Sequence, residues 1–188
     1  LYGYSKNSFS IEIINPSTFE FKLDGKYIKV LSKERNPKNL NWKAEGVQIV
    51  ADCTGAFLDP TQPSSENRGS VRGHLDGGAE RVIVSAPFKI KDTMKDIPED
   101  SAMMVYGINH EIFDPKVHKI ISAASCTTTA LSHMMKPLLD TVETSKIVTA
   151  SMSTIHAATN NQSILDKPPG AGASDLRRNR SAFNNIIL

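Results

Sequence analysis

Cysteine is scarce in this sequence, which contains only Cys53 and Cys126 among its 188 residues. Two cysteines cannot build the disulfide framework of a small secreted domain or a cysteine-rich zinc cluster. No pair among the five histidines has the spacing of metal ligands. We therefore expect a protein of a reducing compartment, the cytoplasm, without a metal site.

An excess of one charge and long apolar runs are lacking as well. The chain carries 22 basic and 20 acidic residues, whereas dedicated nucleic-acid-binding domains usually present a strong basic stripe. No apolar run approaches the roughly 20 residues that span a bilayer. The first ten residues also lack the pattern of a signal peptide. We expect neither a nucleic-acid partner nor membrane association.

An initiator methionine and a glycine-rich nucleotide-binding motif are also missing. The only near match to G-x-G-x-x-G, GAGASD at 170–175, follows two prolines rather than a strand, and we reject it. The last residues, FNNIIL, stop within an apolar run. We expect this sequence to be a piece of a longer chain.

The elements that the sequence does contain alternate strand-like runs with turns and polar connections. Residues 9–31 predict β structure, with Asp24 and Gly25 as a hairpin turn. Four later runs predict buried parallel strands: 47–55, 81–87, 102–109 and 118–125. Residues 64–78 predict an imperfect helix that a glycine pair ends. This alternation predicts an α/β sheet.

After Cys126 the spacing of apolar residues becomes helical, and Pro137 is expected to kink the helix. Residues 147–155 then alternate apolar and polar side chains, which predicts a half-buried strand. Residues 160–185 are rich in Pro, Gly, Asn and Arg and predict a long loop. Long loops of this kind are often functional.

The stretch SAASCTTTALSHMMK, residues 122–136, makes Cys126 a candidate nucleophile. Ser125 is a favourable N-cap residue, which would place Cys126 in the first turn of the helix. Unpaired amides and the helix dipole stabilise a thiolate there, and also an oxyanion formed when the thiolate attacks a carbonyl. The neighbouring hydroxyls could bind phosphate. The alternative is that Cys126 is a small buried hydrophobic residue.

A cysteine nucleophile needs a base, and His156 is the best candidate among the histidines. It follows the predicted strand 147–155, and strands of an α/β sheet end near helix starts. His133 lies two helical turns beyond Cys126, too far to contact the thiol. Two alternatives stay open: an ordinary structural histidine, or a hydrolase that uses Cys126 and His156.

Several motifs, in order along the chain, resemble those of one family. SAASCTTTAL, followed by STIHAAT, is similar to the S-N-A-S-C-T-T-N and T-x-H-x-x-T segments of glyceraldehyde-3-phosphate dehydrogenases. Further resemblance lies in KERNPKNLNW, VADCTGAF, GGAERVIVSAP, YGINHEIFD and DLRRNRSAFNNIIL, so that it covers essentially the whole chain. Ala123 and Thr129 depart from the pattern, because the family commonly has asparagine at both positions.

The resemblance implies a partial parallel Rossmann-type sheet joined to a partial α+β catalytic domain. Residues 1–124 would be the second part of an NAD-binding domain, and residues 125–188 the start of the catalytic domain. The implied partners are a small phosphorylated aldehyde, inorganic phosphate and three further copies in a homotetramer. Since the glycine motif is missing, we expect the 188-residue chain alone to bind cofactor poorly.

By position, the resemblance assigns catalysis to Cys126 and His156. Cys126 would attack the aldehyde, and His156 would act as acid and base during hydride transfer to NAD. Phosphate would then release the resulting thioester as an acyl phosphate, 1,3-bisphosphoglycerate. Ser125 and Thr127 would bind the attacking phosphate, and Thr159 the phosphate of the substrate.

Cofactor contacts are implied for five residues: Arg35, Thr54, Gly55, Phe57 and Ser85. The loop that packs against the cofactor and a neighbouring subunit is matched by Asp166, Pro168, Arg177, Arg178 and Arg180. The choice between NAD and NADP stays open. Two other functions also stay open: an erythrose-4-phosphate dehydrogenase, and a non-catalytic role in binding RNA or a protein.

Overall fold

The computed structural model describes residues 8–31, 34–123, 125–141, 146–159, 162–170 and 176–183. The chain forms two compact units, Leu1–Ser145 and Lys146–Leu188. The predicted boundary between residues 124 and 125 concerns the domains of the family and stays a prediction. In the described part of the chain, no helix is both long enough and apolar enough to cross a membrane.

The first unit opens with a three-stranded antiparallel sheet in the order β1-β2-β3. Its strands are β1 (Ile11–Asn15), β2 (Glu20–Leu23) and β3 (Lys26–Lys29). Asp24 and Gly25 join β2 to β3 with φ angles of 50° and 78°. Positive φ at both central residues is the requirement of the tight hairpin turn, and Asp-Gly meets it at low cost. The predicted hairpin is confirmed.

A four-stranded parallel sheet follows, in the order β4-β5-β7-β6. Its strands are β4 (Ile49–Asp52), β5 (Arg81–Val84), β6 (Ser101–Met103) and β7 (Ile120–Ser122). All four lie within the runs predicted as strands or at their edges. Together with the helices, this parallel sheet confirms the predicted α/β class.

One face of the parallel sheet forms the core of the first unit. Val50, Val82, Val84 and Ile120 pack there against Val71 of helix α1 (Val71–Asp76). Burial of these side chains supplies the main driving force for this packing.

The other face of the parallel sheet is open. Ile49 and Ile83 are 56% and 37% exposed, and an apolar cavity of about 560 Å³ lies along it. The prediction that these strands are buried therefore holds for one face only among the described residues.

Helix α1 is much shorter than the predicted helix 64–78. Gly69 has a φ of 85°, in the left-handed region, so a right-handed helix cannot continue through it. An added Cβ at Gly69 would lie 2.7 Å from Pro37 Cδ, which explains why this position is glycine. The helix ends at the predicted glycine pair, with Gly77 as its C-cap.

Helix α2 (Cys126–Leu139) begins where the sequence predicts, with Ser125 as its N-cap residue. The Ser125 backbone is extended (φ −162°, ψ 115°), and its carbonyl accepts the first helical hydrogen bond, from Thr129 N at 2.9 Å. Pro137 lies in the last turn, and the helix ends two residues later, at Leu139.

The described residues of the second unit contain little regular structure. The predicted strand over 147–155 is wrong, because these residues form neither strand nor helix and Val148 and Ile155 are almost fully exposed. An alternating segment becomes a strand only when another strand pairs with its backbone. Among the described residues of this unit, the pairing is a single bridge between Ser163 and Ser181.

Candidate active site

The carboxyl ends of the parallel strands bring several predicted site residues to one edge of the sheet. Thr54 follows β4 by two residues, and Ser85 follows β5 directly. Beyond β7, the chain reaches the start of α2 at Cys126. Because parallel strands end at the same edge, and ligands of open α/β sheets bind there, this edge is the candidate site.

The loop after β4 is held in place by a carboxylate. Asp52 Oδ1 accepts hydrogen bonds from Thr54 N (2.9 Å) and Thr54 Oγ1 (2.6 Å). Thr54 Oγ1 in turn accepts one from Ala56 N at 3.2 Å. Gly55 has a φ of 68°, which only glycine adopts without strain. The loop is therefore an ordered turn, although its side chains are exposed.

Three hydrogen bonds connect the ends of β4, β5 and β7. Ser85 N donates to Asp52 O at 3.0 Å, and Ala123 N donates to Val84 O at 3.2 Å. Ser122 Oγ donates to Ala86 O at 2.7 Å. These bonds fix the loops that follow the strands, while the side chain of Ser85 stays exposed.

Cys126 occupies the first position of α2 and is exposed. Its Sγ lies 3.7 Å from Thr127 Oγ1. The Ser125 side chain makes no capping hydrogen bond to the amides of the first turn. Such a position stabilises a thiolate, or an oxyanion formed on a bound carbonyl.

A cavity of about 300 Å³ lies beside the N-terminal half of α2. Its polar lining includes four hydroxyl side chains: Ser122, Ser125, Thr128 and Ser132. One of them, Ser132 Oγ, donates to Thr128 O at 2.7 Å. Ser122 Oγ likewise donates to Ala86 O. The hydroxyls of Ser125 and Thr128, which lie among those that the sequence predicts as phosphate ligands, could bind an anion.

Phe57 and Arg35 differ in their surroundings. Phe57 is half-buried, packs against the core and meets the His74 ring edge-on at 6.2 Å. Arg35 lies in an exposed connection, where its backbone N donates to Glu34 Oε1 at 2.8 Å. Phe57 therefore connects the loop after β4 to the core. The cofactor contact implied for Arg35 stays a prediction.

The second unit carries His156 and Thr159 on an exposed, irregular segment. His156 Nδ1 lies 2.7 Å from the carbonyl oxygen of Ala157, and a carbonyl can only accept. Nδ1 therefore carries the proton, and in the neutral ring Nε2 has the lone pair. Thr159 N donates to Gln162 Oε1 at 2.8 Å. The pairing of His156 with Cys126 stays a prediction.

Within the predicted loop 160–185, hydrogen bonds connect the described segments 162–170 and 176–183. Lys167 N donates to Asn179 O, and Asn179 Nδ2 donates to Pro168 O, both at 2.9 Å. Asp166 accepts from Ser181 N at 2.6 Å and lies 3.6 Å from Arg180 Nη1. Residues Leu176–Asn179 form a 3-10 helix, which includes Arg177 and Arg178.

Sequence reasoning missed Asp52, which organises the loop of Thr54. It is 3% exposed, and its Oδ2 lies 3.7 Å from Nε2 of the buried His74. Burial by itself raises the pKa of Asp52, but the contact with His74 and the hydrogen bonds from Thr54 outweigh it and hold the pKa below its ordinary value. An acidic residue at the end of a strand, two positions before a threonine, is a signal that could have revealed it.

Comparison with known proteins identifies a matching family. Residues 125–187 match the family model described as glyceraldehyde 3-phosphate dehydrogenase, C-terminal domain. Over 165 residues the chain is 42% identical to a glyceraldehyde-3-phosphate dehydrogenase of Streptomyces coelicolor and 40% identical to one of Geobacillus stearothermophilus. Glyceraldehyde-3-phosphate dehydrogenase 1 of Bacillus subtilis is 38% identical. Each alignment covers 88% of this chain and 42% of the relative, so the chain spans about two fifths of their length.

Proposed function

We propose, because this chain belongs to the glyceraldehyde-3-phosphate dehydrogenase family, that the whole protein is an NAD-dependent phosphorylating aldehyde dehydrogenase. It would convert glyceraldehyde 3-phosphate and inorganic phosphate to 1,3-bisphosphoglycerate, as a cytoplasmic homotetramer. The observation that carries this proposal is the position of Cys126. It opens a 14-residue helix that follows the carboxyl end of a parallel strand.

Cys126 is the proposed nucleophile. Its Sγ would attack the aldehyde carbon, forming a carbon–sulfur bond while the carbonyl π electrons move to the oxygen. The amides of the first turn of α2 would donate hydrogen bonds to that oxygen as its charge grows. The exposure of Cys126 supports this role, because the thiol must be reached by substrate.

His156 is the proposed acid and base. With the proton on Nδ1, its Nε2 would take the thiol proton, return it to the oxygen of the tetrahedral adduct to form a hydroxyl, and take it back as the hydride leaves. Loss of a hydride from that carbon then leaves a thioester on Cys126. Attack by phosphate expels the thiolate and forms the acyl phosphate, so that Cys126 returns to its starting state.

The loops at the carboxyl edge are the proposed site of the dinucleotide. Gly55 has open space where a Cβ would stand, so a ligand could approach its backbone closely. Exposed Thr54 and Ser85 offer hydroxyls at the same edge. With Arg35 and Phe57, these residues would hold the cofactor, which when bound would accept the hydride. NAD rather than NADP is part of the proposal.

Phosphate would bind at two places. Ser125 and Thr127 flank Cys126 and would hold the attacking phosphate at the start of α2, where the helix dipole favours an anion. Thr159 would hold the phosphate of the substrate. Both assignments rest on the match of these positions to the family.

The proposal is tested by following reduced nicotinamide spectroscopically with the whole protein. We expect absorbance to grow only when glyceraldehyde 3-phosphate, NAD and phosphate are all present. Cys126→Ser should lower the rate by about a thousandfold or more. Cys53→Ser, which alters the other exposed cysteine, should leave the rate unchanged.

Two outcomes would contradict the proposal. Thiol-dependent hydrolysis without any reduction of NAD would identify a cysteine hydrolase. Faster turnover of erythrose 4-phosphate than of glyceraldehyde 3-phosphate would assign the related dehydrogenase instead.

A further inference from the structure

A row of polar side chains, half-buried at Trp42 and buried at His74 and Asp52, runs from a loop before β4 to the proposed cofactor loop. Trp42 Nε1 donates to His74 Nδ1 at 3.1 Å. On the other side of the ring, His74 Nε2 lies 3.7 Å from Asp52 Oδ2. His74 and Asp52 are only 6% and 3% exposed. Such polar groups are costly to bury unless their partners match.

The Trp42 contact fixes the protonation pattern of the His74 ring. Indole N–H can only donate, so His74 Nδ1 must be the acceptor and its proton must be on Nε2. The Nε2–H group therefore faces the Asp52 carboxylate. Among the described residues, neither Nε2 nor Oδ2 has a hydrogen-bond partner, and the two atoms lie 3.7 Å apart.

The second oxygen of the same carboxylate holds the cofactor loop. Oδ1 of Asp52 accepts hydrogen bonds from both the amide and the hydroxyl of Thr54. The Thr54 hydroxyl oxygen then accepts a hydrogen bond from Ala56 N, and this bond closes the turn around Gly55. The Thr54 amide, the Thr54 hydroxyl and the His74 Nε2–H group thus all turn donors toward Asp52, which favours an ionised carboxylate because it accepts at both oxygens.

We propose that Asp52 is a positioning residue that sets the conformation of the Thr54–Ala56 turn for cofactor binding, and that Trp42 and His74 orient it. This inference rests on the proposed function, because that function makes the turn a cofactor contact. Asp52 itself is buried and acts through Thr54. It should influence the affinity for NAD more than the rate of the chemical step.

Replacing the carboxylate with an amide in the whole protein tests this role. In Asp52→Asn, the amide oxygen can still accept hydrogen bonds from Thr54. The side-chain NH₂ group then faces His74 Nε2–H, and the two groups conflict because both are donors. We expect the dissociation constant for NAD, measured by calorimetry, to rise about tenfold, since an unmatched buried polar group costs about that much. The turnover number at saturating NAD should change by less than about twofold, because the chemical groups are untouched.

A second substitution should relieve the conflict. In Trp42→Phe, His74 Nδ1 no longer faces a donor, so the proton can move to Nδ1 and Nε2 can accept from the new amide. The double variant Trp42→Phe/Asp52→Asn should therefore bind NAD within about threefold of the wild type. Failure of the double variant to regain affinity would overturn the role of Trp42 and His74.

Asp59 provides a matched control within the same unit. Its Oδ1 accepts Thr61 N at 3.0 Å and Thr61 Oγ1 at 2.6 Å, its Oδ2 accepts Lys91 N at 3.0 Å, and it is 5% exposed. We expect both Asp59→Asn and Asp52→Asn to lower the unfolding temperature. Only Asp52→Asn should weaken the affinity for NAD. Equal effects of both variants on NAD affinity would mean that Asp52 serves only the fold.

Substitution at His74 keeps the test decisive if Asp52→Asn does not fold. In His74→Gln, the side-chain oxygen can accept from Trp42 and the nitrogen can donate to Asp52, so NAD binding should stay within about threefold. His74→Leu offers neither group, so this variant should bind NAD about tenfold more weakly than the wild type does. Equal affinities in these two variants would overturn the proposal. Absence of NAD binding by the wild type would instead refute the proposed function and this inference with it.

Discussion

Cys126 and Cys53 are both exposed, yet their surroundings differ. Cys126 opens a 14-residue helix, whereas Cys53 follows β4 directly and lies outside any helix. A helix start lowers the pKa of a thiol, because unpaired amides and the dipole favour the negative charge.

Alkylation rates of the two thiols test this difference. We expect iodoacetamide to modify Cys126 at least about tenfold faster than Cys53 in the whole protein at neutral pH. Peptide mass spectrometry after short exposures would report both rates in one sample, so Cys53 is an internal control. Equal rates would show that the position at the helix start does not activate the thiol.

The row Trp42–His74–Asp52 illustrates what a sequence does not reveal about single residues. Its members belong to a loop, a short helix and a strand end, and the folded chain brings them together from distant positions in the sequence. Local patterns predicted Ser125 and Cys126 at a helix start, because capping depends on neighbours in sequence. Contacts between distant positions have no such local signal.

At the scale of elements, a bidentate ion pair connects α1 to the segment before β6. Arg72 Nη1 and Nη2 donate to the two carboxylate oxygens of Asp100 at 2.9 and 2.7 Å, and Arg72 Nε donates to Pro60 O at 2.7 Å. The hydrogen bonds from Arg72 hold the pKa of Asp100 below its ordinary value. Both side chains are partly buried, so solvent weakens the pair less than it would a surface pair.

Stability should therefore depend on the ionisation of Asp100. A carboxyl group whose pKa is lowered by folding stabilises the protein above its unfolded pKa of about 3.9, and this contribution is lost as the pH falls through the lower folded value. We expect Asp100→Asn to lower the free energy of unfolding by about 1.5–3 kcal/mol at pH 7. As the pH falls below about 4 and through the lowered folded pKa of Asp100, the stabilities of the variant and the wild type should converge.

Chemical unfolding of the whole protein at several pH values measures this effect. Asp96→Asn, which alters an exposed carboxylate of the preceding loop, is the matched control and should change stability little at any pH. If Asp100→Asn and the wild type differ by the same amount at pH 7 and at acid pH, the ion pair is not the source of the difference.

Elements were predictable where local chemistry determines them. The Asp24–Gly25 hairpin and the start of α2 depend on residues next to each other. The late start of α1 depends on the left-handed Gly69, whose close neighbour Pro37 is remote in sequence. The segment 147–155 has the alternation of a strand, but alternation does not supply the second strand that would pair with it.

At the scale of the whole molecule, the parallel sheet relates the candidate residues of the first unit to one another. Its carboxyl edge gathers Thr54, Ser85 and the start of α2, although they are far apart in sequence. One sheet face is packed, while the other exposes Ile49 and Ile83. Parallel sheets are usually covered on both faces. The apolar runs that form β4 and β5 are therefore predicted from the sequence as fully buried strands.

The central claim is that Cys126 carries the substrate during the reaction, and trapping the covalent intermediate tests it most directly. The whole protein would be mixed with glyceraldehyde 3-phosphate and NAD without phosphate, and its peptides analysed by mass spectrometry. We predict an acyl group on Cys126 that disappears when phosphate is added, and no acyl group on Cys53. Reduction of NAD with Cys126 unmodified, or an acyl group on Cys53 instead, would contradict the account.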